Sequence, residues 1–383
     1  MSSITEILAH RRICICAGSG GVGKTTTSAA IAAGLAARGQ KVAVLTIDPA
    51  KRLADSLGLE ELGNEPRMVD PALFTEAGVE MKGELWAMML DAKATFDELV
   101  VRNAPDEASR DRILGNRIDR QISSALAGSQ EYMAMEKLYE IHQSGEYDFL
   151  VLDTPPSRNA LDFLDAPKRL TQFIEGRSLQ IFMKPTGIAT RVVGRGSAVM
   201  FQLLRRVIGF DLLSDIGEFL QAFSGMVDGF RERAKSVSAL LADPATSFIV
   251  VCGPQGEPIE EAIYFQRRLL EAELPVGGII VNRVHYGFEP TDGIADALTE
   301  DLGMDKALAA KVLENFADYS VLATRDAENI ARLSRDLGEQ PVIKVPYLDE
   351  DVHDLGGLLK IDRYLFATGE ERERMASFPS EDD

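Results

Sequence analysis

The stretch Gly18-Ser19-Gly20-Gly21-Val22-Gly23-Lys24-Thr25-Thr26 holds the residue types that bind a chain of phosphates. Its G-x-x-x-x-G-K-T spacing sets glycines where the backbone must turn its N–H groups inward, then a lysine, then two hydroxyls. In that pattern Gly20, Gly21, Val22, Gly23 and Thr26 cradle phosphate oxygens, Lys24 reaches the β- and γ-phosphates, and the Thr25 hydroxyl binds Mg²⁺. Two aspartates extend the constellation. Asp48 opens Asp48-Pro49-Ala50-Lys51-Arg52, and Asp153 opens Asp153-Thr154-Pro155-Pro156-Ser157. A carboxylate beside Mg·ATP either binds the metal through water or orients the attacking water. Taken singly, each is equally well read as a loop carboxylate that caps the next element. A phosphate loop in the same chain favours the chemical reading.

These residues need a scaffold, and the apolar patterning supplies one. A short apolar run, 12–16, precedes the loop, and a helix from Lys24 to about Arg38 follows it, closed by Gly39. Further continuous apolar runs fall at 41–48, 85–91, 147–153, 247–252, 277–282 and 341–346. Continuous rather than alternating runs suit a parallel sheet covered on both faces. Helical segments between them imply βαβ units. In such sheets ligands sit beyond the carboxyl ends of the strands, so the loop, Asp48 and Asp153 converge on one crevice. The expected fold is therefore α/β: a P-loop domain with a mostly parallel central sheet, helices on both faces and a helical insertion subdomain. It spans 1–368, with insertions at about 92–143 and 170–241 that are too long for single crossovers. A short helix is expected over 5–10, and a polar, frayed tail over 369–383.

Composition sets limits on function. Across 383 residues the formal net charge is −19, which argues against a nucleic-acid footprint. The start shows no basic segment followed by an apolar one, and no apolar run approaches membrane-spanning length, so a cytoplasmic protein is expected. Cys14, Cys16 and Cys252 lie in apolar runs and read as buried thiols; Cys14 and Cys16, two apart on a strand, face one side. The four histidines, His10, His142, His285 and His353, show no metal-ligand spacing.

The loop, Ile47-Asp48-Pro49-Ala50 after the second strand and Leu152-Asp153-Thr154-Pro155-Pro156 after the fourth resemble the arsenite-pump and tail-anchored-protein-targeting ATPase family. These are dimeric ATPases with a deviant Walker A loop. The resemblance runs from about Arg12 to Leu358. It includes Gly128-Ser129-Gln130-Glu131-Tyr132-Met133-Ala134 and the pairing of Asn282 with Pro346-Tyr347-Leu348, and it is nearest to the bacterial branch labelled anion-transporting ATPase. It implies ATP and Mg²⁺ as ligands. Asp48 lies where a switch I aspartate orients the hydrolytic water, and Asp153 where a Walker B-like aspartate supports Mg²⁺ through water. Thr154 to Asn159 lies on switch II. Asn282 lies where adenine is read, and Pro346 where the base is flanked.

Departures from the family pattern redirect the expectations. Ser19 stands where the family has a lysine that reaches across the dimer to the partner's nucleotide. Lys51 replaces a histidine, and Arg158 and Asn159 replace the Gly and His of eukaryotic members. No C-x-x-C is present for a shared zinc, nor a cysteine triad for arsenite. The principal expectation is a Mg²⁺-dependent dimeric ATPase that couples nucleotide state to a helical client surface, such as one for a membrane-protein segment. The alternatives are a hydrolysis-poor regulatory subunit paired with a lysine-bearing paralogue, the favoured partner here over a homodimer, and a Min/Par-type positioning ATPase. Phe182, Met183, Val199, Met200, Phe201, Leu203, Leu204, Phe219, Leu220, Phe223 and Met226 line a client groove or pack on one another. Arg191, Arg195, Arg205 and Arg206 meet an acidic partner or form a solvated face.

Overall fold

The computed structural model describes residues 2–48, 51–115, 130–154, 221–287 and 294–377, together with Ala166, Gln172 and Phe219. Eight strands form one sheet in the order β3-β4-β2-β5-β1-β6-β7-β8. They are β1 (Ile13–Ala17), β2 (Lys41–Thr46), β3 (Arg67–Met68), β4 (Glu84–Met89), β5 (Phe149–Asp153), β6 (Thr246–Cys252), β7 (Val276–Val284) and β8 (Val342–Pro346). Every pairing is parallel except β3 with β4. Seven of these strands coincide with the apolar runs. The two-residue β3 does not: both its residues are exposed, so no hydrophobic pattern marks it.

The apolar runs are continuous because the sheet buries both faces. Along β1, Ile13, Ile15 and Ala17 enter one core and Cys14 and Cys16 the other. The same alternation sends Ala43 and Leu45 of β2 one way and Val42 and Val44 the other. Cys14 and Cys16 thus face one side, their Sγ atoms 3.9 Å apart. The hydrogen bond between them and their burial push the Cys14 thiol upward. Burial alone pushes Cys252 up to about 12, so at neutral pH these two groups remain thiols.

The Lys24–Ala37 helix is rich in alanine and buried on nearly all sides. It packs between the sheet and the Leu355–Phe366 helix, where Arg38 forms a two-pronged ion pair with Asp362. The opposite face is covered by helices from both long intervals, Ala92–Asn103, Gln130–Ser144 and Val227–Ala242. There Phe219, Phe223 and Met226, candidates for a client groove, are 0 to 1 % exposed and pack with Phe96 and Phe230 in the core. The other groove candidates and the four insertion arginines lie outside the described residues. The leading helix is Ile4–Ile7, shorter than expected and closed by a capping box between Ser3 and Glu6.

The C-terminal expectation needs correction. Residues Gly369–Ser377 form a helix rather than a frayed tail. Its start is capped by Thr368 and Glu371 in a reciprocal bond. Arg372 is buried and donates to the carbonyls of Tyr364 and Ala367, which ties the helix down. The polar composition hid one inward-facing arginine. Residues 378–383 lie outside the described set.

Candidate functional site

The phosphate loop leaves the central strand β1 and enters the Lys24–Ala37 helix, as the pattern predicts. Two glycines are required by what surrounds them. Gly23, at the helix N-cap with φ +90°, lies so close to Asn282 that a Cβ there would meet its Nδ2 at 2.2 Å. A Cβ on Gly18 would meet the Val251 carbonyl oxygen at 2.0 Å. The loop is therefore pressed against β6 and β7 and can carry no side chain at these points. Lys24 folds back and donates to the Ser19 carbonyl at 2.8 Å. Burial lowers its pKa, opposed by Asp153 and Asp48, while the neighbouring positive Arg52 adds to the lowering.

Register brings the carboxylates to the loop. Cys16 of β1 and Thr46 of β2 both pair with Asp153 of β5, so three strand ends are level. Asp153 is fully buried. Its Oδ2 accepts from Thr25 Oγ1 at 2.7 Å and from Thr46 Oγ1 at 2.9 Å. Its Oδ1 is buried with no hydrogen-bond partner among the described residues. Burial pushes its pKa up to about 6, against the pull of Thr25, Thr46 and Lys24. Thr46 Oγ1 also accepts from the Asp48 N–H at 3.2 Å, which fixes the start of the segment after β2. Thr154, the next residue after Asp153, donates its hydroxyl to the Cys16 carbonyl at 2.8 Å.

These groups fit a Mg²⁺ ion. The Thr25 hydroxyl gives its proton to Asp153, leaving its oxygen lone pairs free toward the loop, and the orphaned Asp153 Oδ1 is a second hard donor. An unpartnered buried carboxylate oxygen is costly in isolation and is what an arriving cation or its water would satisfy. Among the described residues no cluster of three or more His, Cys, Asp and Glu side chains is arranged to hold a metal.

Gly21, Gly23, Lys24, Thr25, Thr26, Asp48, Asn282 and Pro346 all line one cavity of about 550 Å³ beyond the strand ends. Asp153 lies beneath it through Thr25. Gly20 is exposed on the loop, and Val22 is buried and offers its carbonyl to Asn282 Nδ2 at 3.0 Å. The Asn282 Oδ1 accepts from the Arg283 N–H at 3.0 Å. Asn282 thus braces the loop with its amide nitrogen and holds the backbone of its own strand with its amide oxygen. Pro346 pairs across to Val284, and Tyr347 after it continues the wall. Tyr347 stacks on His285 with ring centres 5.3 Å apart. His285 Nδ1 in turn lies 2.7 Å from Oδ2 of the buried Asp326. Lys51 is exposed and is not part of the cavity wall, whereas Arg52 is. Pro155 to Asn159, with Arg158, lie outside the described residues.

Sequence reasoning missed Thr46, Arg52 and Arg283. Thr46 had a signal: it is the polar residue in an apolar run, two before Asp48. Arg283 had one too, a charge in the apolar run 279–284. Arg52 had none, because a surface arginine opening a short helix is ordinary.

Comparison with known proteins gives the chain its family. A family described as anion-transporting ATPase matches residues 11–329. The chain is similar to ATPase GET3A of Arabidopsis thaliana, 26% identical over 278 residues, which is 72% of this chain and 67% of the relative. It is 25% identical to ATPase get3 of Aspergillus terreus over 308 residues, 80% of this chain and 82% of that one. With ATPase GET3 of Malassezia globosa the identity is 24% over 357 residues, 91% and 89% of the two chains. The family match begins just before β1, takes in the phosphate loop and both aspartates, and ends inside the long Lys306–Leu337 helix; the chain belongs to the anion-transporting ATPase family, P-loop enzymes that hydrolyse ATP.

Proposed function

We propose that this ATPase binds Mg·ATP in the cavity above Lys24, works as a dimer, and uses its nucleotide state to alter a helical surface that meets a protein client. The observation that carries the site assignment is the shared carboxylate Asp153, buried beneath the loop with one oxygen held by Thr25 and Thr46 and the other unpartnered. Thr25 and Asp153 are the residues that would hold Mg²⁺, the latter through water. The chemistry a bound Mg²⁺ supplies is neutralisation of charge on the β- and γ-phosphate oxygens.

The chain's own groups divide the rest of the work. Backbone N–H groups of 20–26, including those at the N-terminus of the Lys24–Ala37 helix, donate to the phosphate oxygens. The Lys24 ammonium exchanges the Ser19 carbonyl for a phosphate oxygen, trading a neutral acceptor for a charged one and gaining a stronger bond. Asp48 orients the attacking water in line with the leaving group. Asn282 reads the adenine while its Nδ2 braces Val22, and Pro346 flanks the base. Protein dimers of this kind are implied by the family resemblance, as is a membrane-protein segment as client. A second reading, a slow subunit that needs a lysine-bearing paralogue, draws on Ser19: its hydroxyl is buried in the loop and supplies no charge.

Two variants test the assignment. Lys24→Ala should abolish tight Mg·ATP binding. Asp48→Asn should keep binding of a non-hydrolysable analogue and lose turnover about 10²-fold or more. Calorimetry paired with phosphate release reads both, and undiminished turnover in Asp48→Asn removes that residue from its role. Sedimentation with and without the analogue reads the dimer.

A further inference from the structure

Arg283 sits in a backbone conformation that nothing about a strand requires. Three non-glycine residues among those described have positive φ. His10 and Glu273 lie in turns that follow helices, where such angles are ordinary. Arg283 has φ +62° inside β7, at a register shift between Val281 and Val284 against β8. A bulge in a strand re-aims a side chain, and left-handed backbone at a bulky residue persists only where the surroundings enforce it. Here the enforcement is visible: Asn282 Oδ1 holds the Arg283 N–H, and Asn282 Nδ2 is fastened to Val22 of the phosphate loop.

The bulge turns the guanidinium back over the loop. Its Nη1 lies 3.4 Å from the Gly21 carbonyl, a long bond by ordinary standards, and the side chain is exposed on the wall of the cavity. No carboxylate pairs with it among the described residues. A guanidinium has five donors in a fixed fork suited to phosphate oxygens. In a chain of net charge −19, whose cavity wall also carries Asp48, Asp55, Glu350 and Asp351, a cation held there without a carboxylate points to an anionic ligand.

We propose that Arg283 is a phosphate-binding residue of the nucleotide site, approaching from the β7 side while Lys24 approaches from the loop. The inference rests on the reading of this cavity as the ATP site. On binding, the fork leaves the Gly21 carbonyl for phosphate oxygens of ADP or ATP. The strained backbone is what keeps it aimed before the nucleotide arrives, so the contact serves affinity more than turnover.

Arg283→Asn and Arg283→Lys, with Lys24→Ala as the control, test this. Asparagine tolerates left-handed backbone, so Arg283→Asn keeps the bulge and removes only the fork. Titration calorimetry should find Mg·ADP and a non-hydrolysable Mg·ATP analogue bound about tenfold more weakly by Arg283→Asn. Its melting temperature without nucleotide should be no lower than the wild type's. Arg283→Lys should fall between, and binding by Arg283→Asn should depend less steeply on salt. Wild-type affinity and salt dependence in Arg283→Asn overturn the proposal and leave Arg283 as a bulge residue. Failure of the wild type itself to bind either nucleotide more tightly than Lys24→Ala overturns the cavity reading instead.

Discussion

Asp153 should make the nucleotide-free protein less stable as pH rises, and the size of that effect follows from its surroundings. The carboxyl is fully buried and accepts two hydroxyls on one oxygen only. Burial dominates, so it releases its proton near 6 in the folded chain rather than near 3.8. A raised folded pKa means that the native state binds the extra proton between those values, so stability is greatest below 3.8 and declines as pH climbs through 6. Between pH 4 and 7.5 the loss is about 2.5 kcal/mol from this group alone. Other carboxylates titrate in the same range, and Asp153→Asn removes only this one. The measurement is urea unfolding of both proteins across pH 4 to 7.5, without nucleotide. The difference in unfolding free energy, wild type minus variant, should fall by about 2.5 kcal/mol over that range. Repeating it with Mg²⁺ and a non-hydrolysable ATP analogue should erase the decline, because a cation beside Oδ1 holds the carboxylate ionised. A flat difference in the nucleotide-free protein refutes the reasoning: Asp153 would then be ionised without penalty, and its orphaned oxygen would not be a reserve for a cation.

Thr46→Val keeps the volume of the side chain and deletes the hydroxyl that bonds Asp153 and Asp48. It should lower kcat at least tenfold with little change in KM, since Asp48 loses its anchor while the loop is untouched; steady-state kinetics checks this. Ser19→Lys in the isolated protein should raise hydrolysis about 10³-fold or more if the charge absent at that position limits turnover. Fast hydrolysis by the unmodified chain that collapses in Arg52→Ala would instead assign the charge to Arg52, a cation on the cavity wall whose charge is felt at Lys24.

The sequence carried the sheet because burial on both faces leaves a continuous apolar run, and seven strands announce themselves that way. It carried the phosphate loop because glycines, lysine and threonine at fixed spacing have few other uses. What it hid depends on single contacts. Strand β3 buries no side chain and so leaves no pattern. The Gly369–Ser377 helix reads as solvent-exposed tail, because it is anchored by Arg372, which composition counts as polar, and by the apolar contact of Met375. Phe219, Phe223 and Met226 illustrate the opposite limit: a pattern legible as apolar does not say whether the surface it makes is a groove or a core, and these three went to the core. Asn282 entered as a candidate through the family resemblance, but its bond to Val22 and the near-contact with Gly23 depend on β7 passing beside the loop.

The hydrogen bonds at the strand ends form one chain: Thr25 to Asp153, Thr46 to Asp153, and Asp48 to Thr46. Its ends are the residue after the loop lysine and the backbone N–H of Asp48, whose carboxylate is proposed to position water. Its middle is the one group in it whose charge costs most, and whose remaining oxygen has no partner among the described residues. A cation bound at Oδ1 would change the electron density that Oδ2 offers both hydroxyls, and the bonds through Thr46 would carry that change to the backbone at Asp48. Thr154 follows Asp153 directly and is tied to Cys16 of the central strand, which fastens this carboxylate's end of β5 to the sheet. Asp153 thus lies between the residue proposed to hold Mg²⁺ and the residue proposed to position water, and its protonation should register in stability before any nucleotide is hydrolysed.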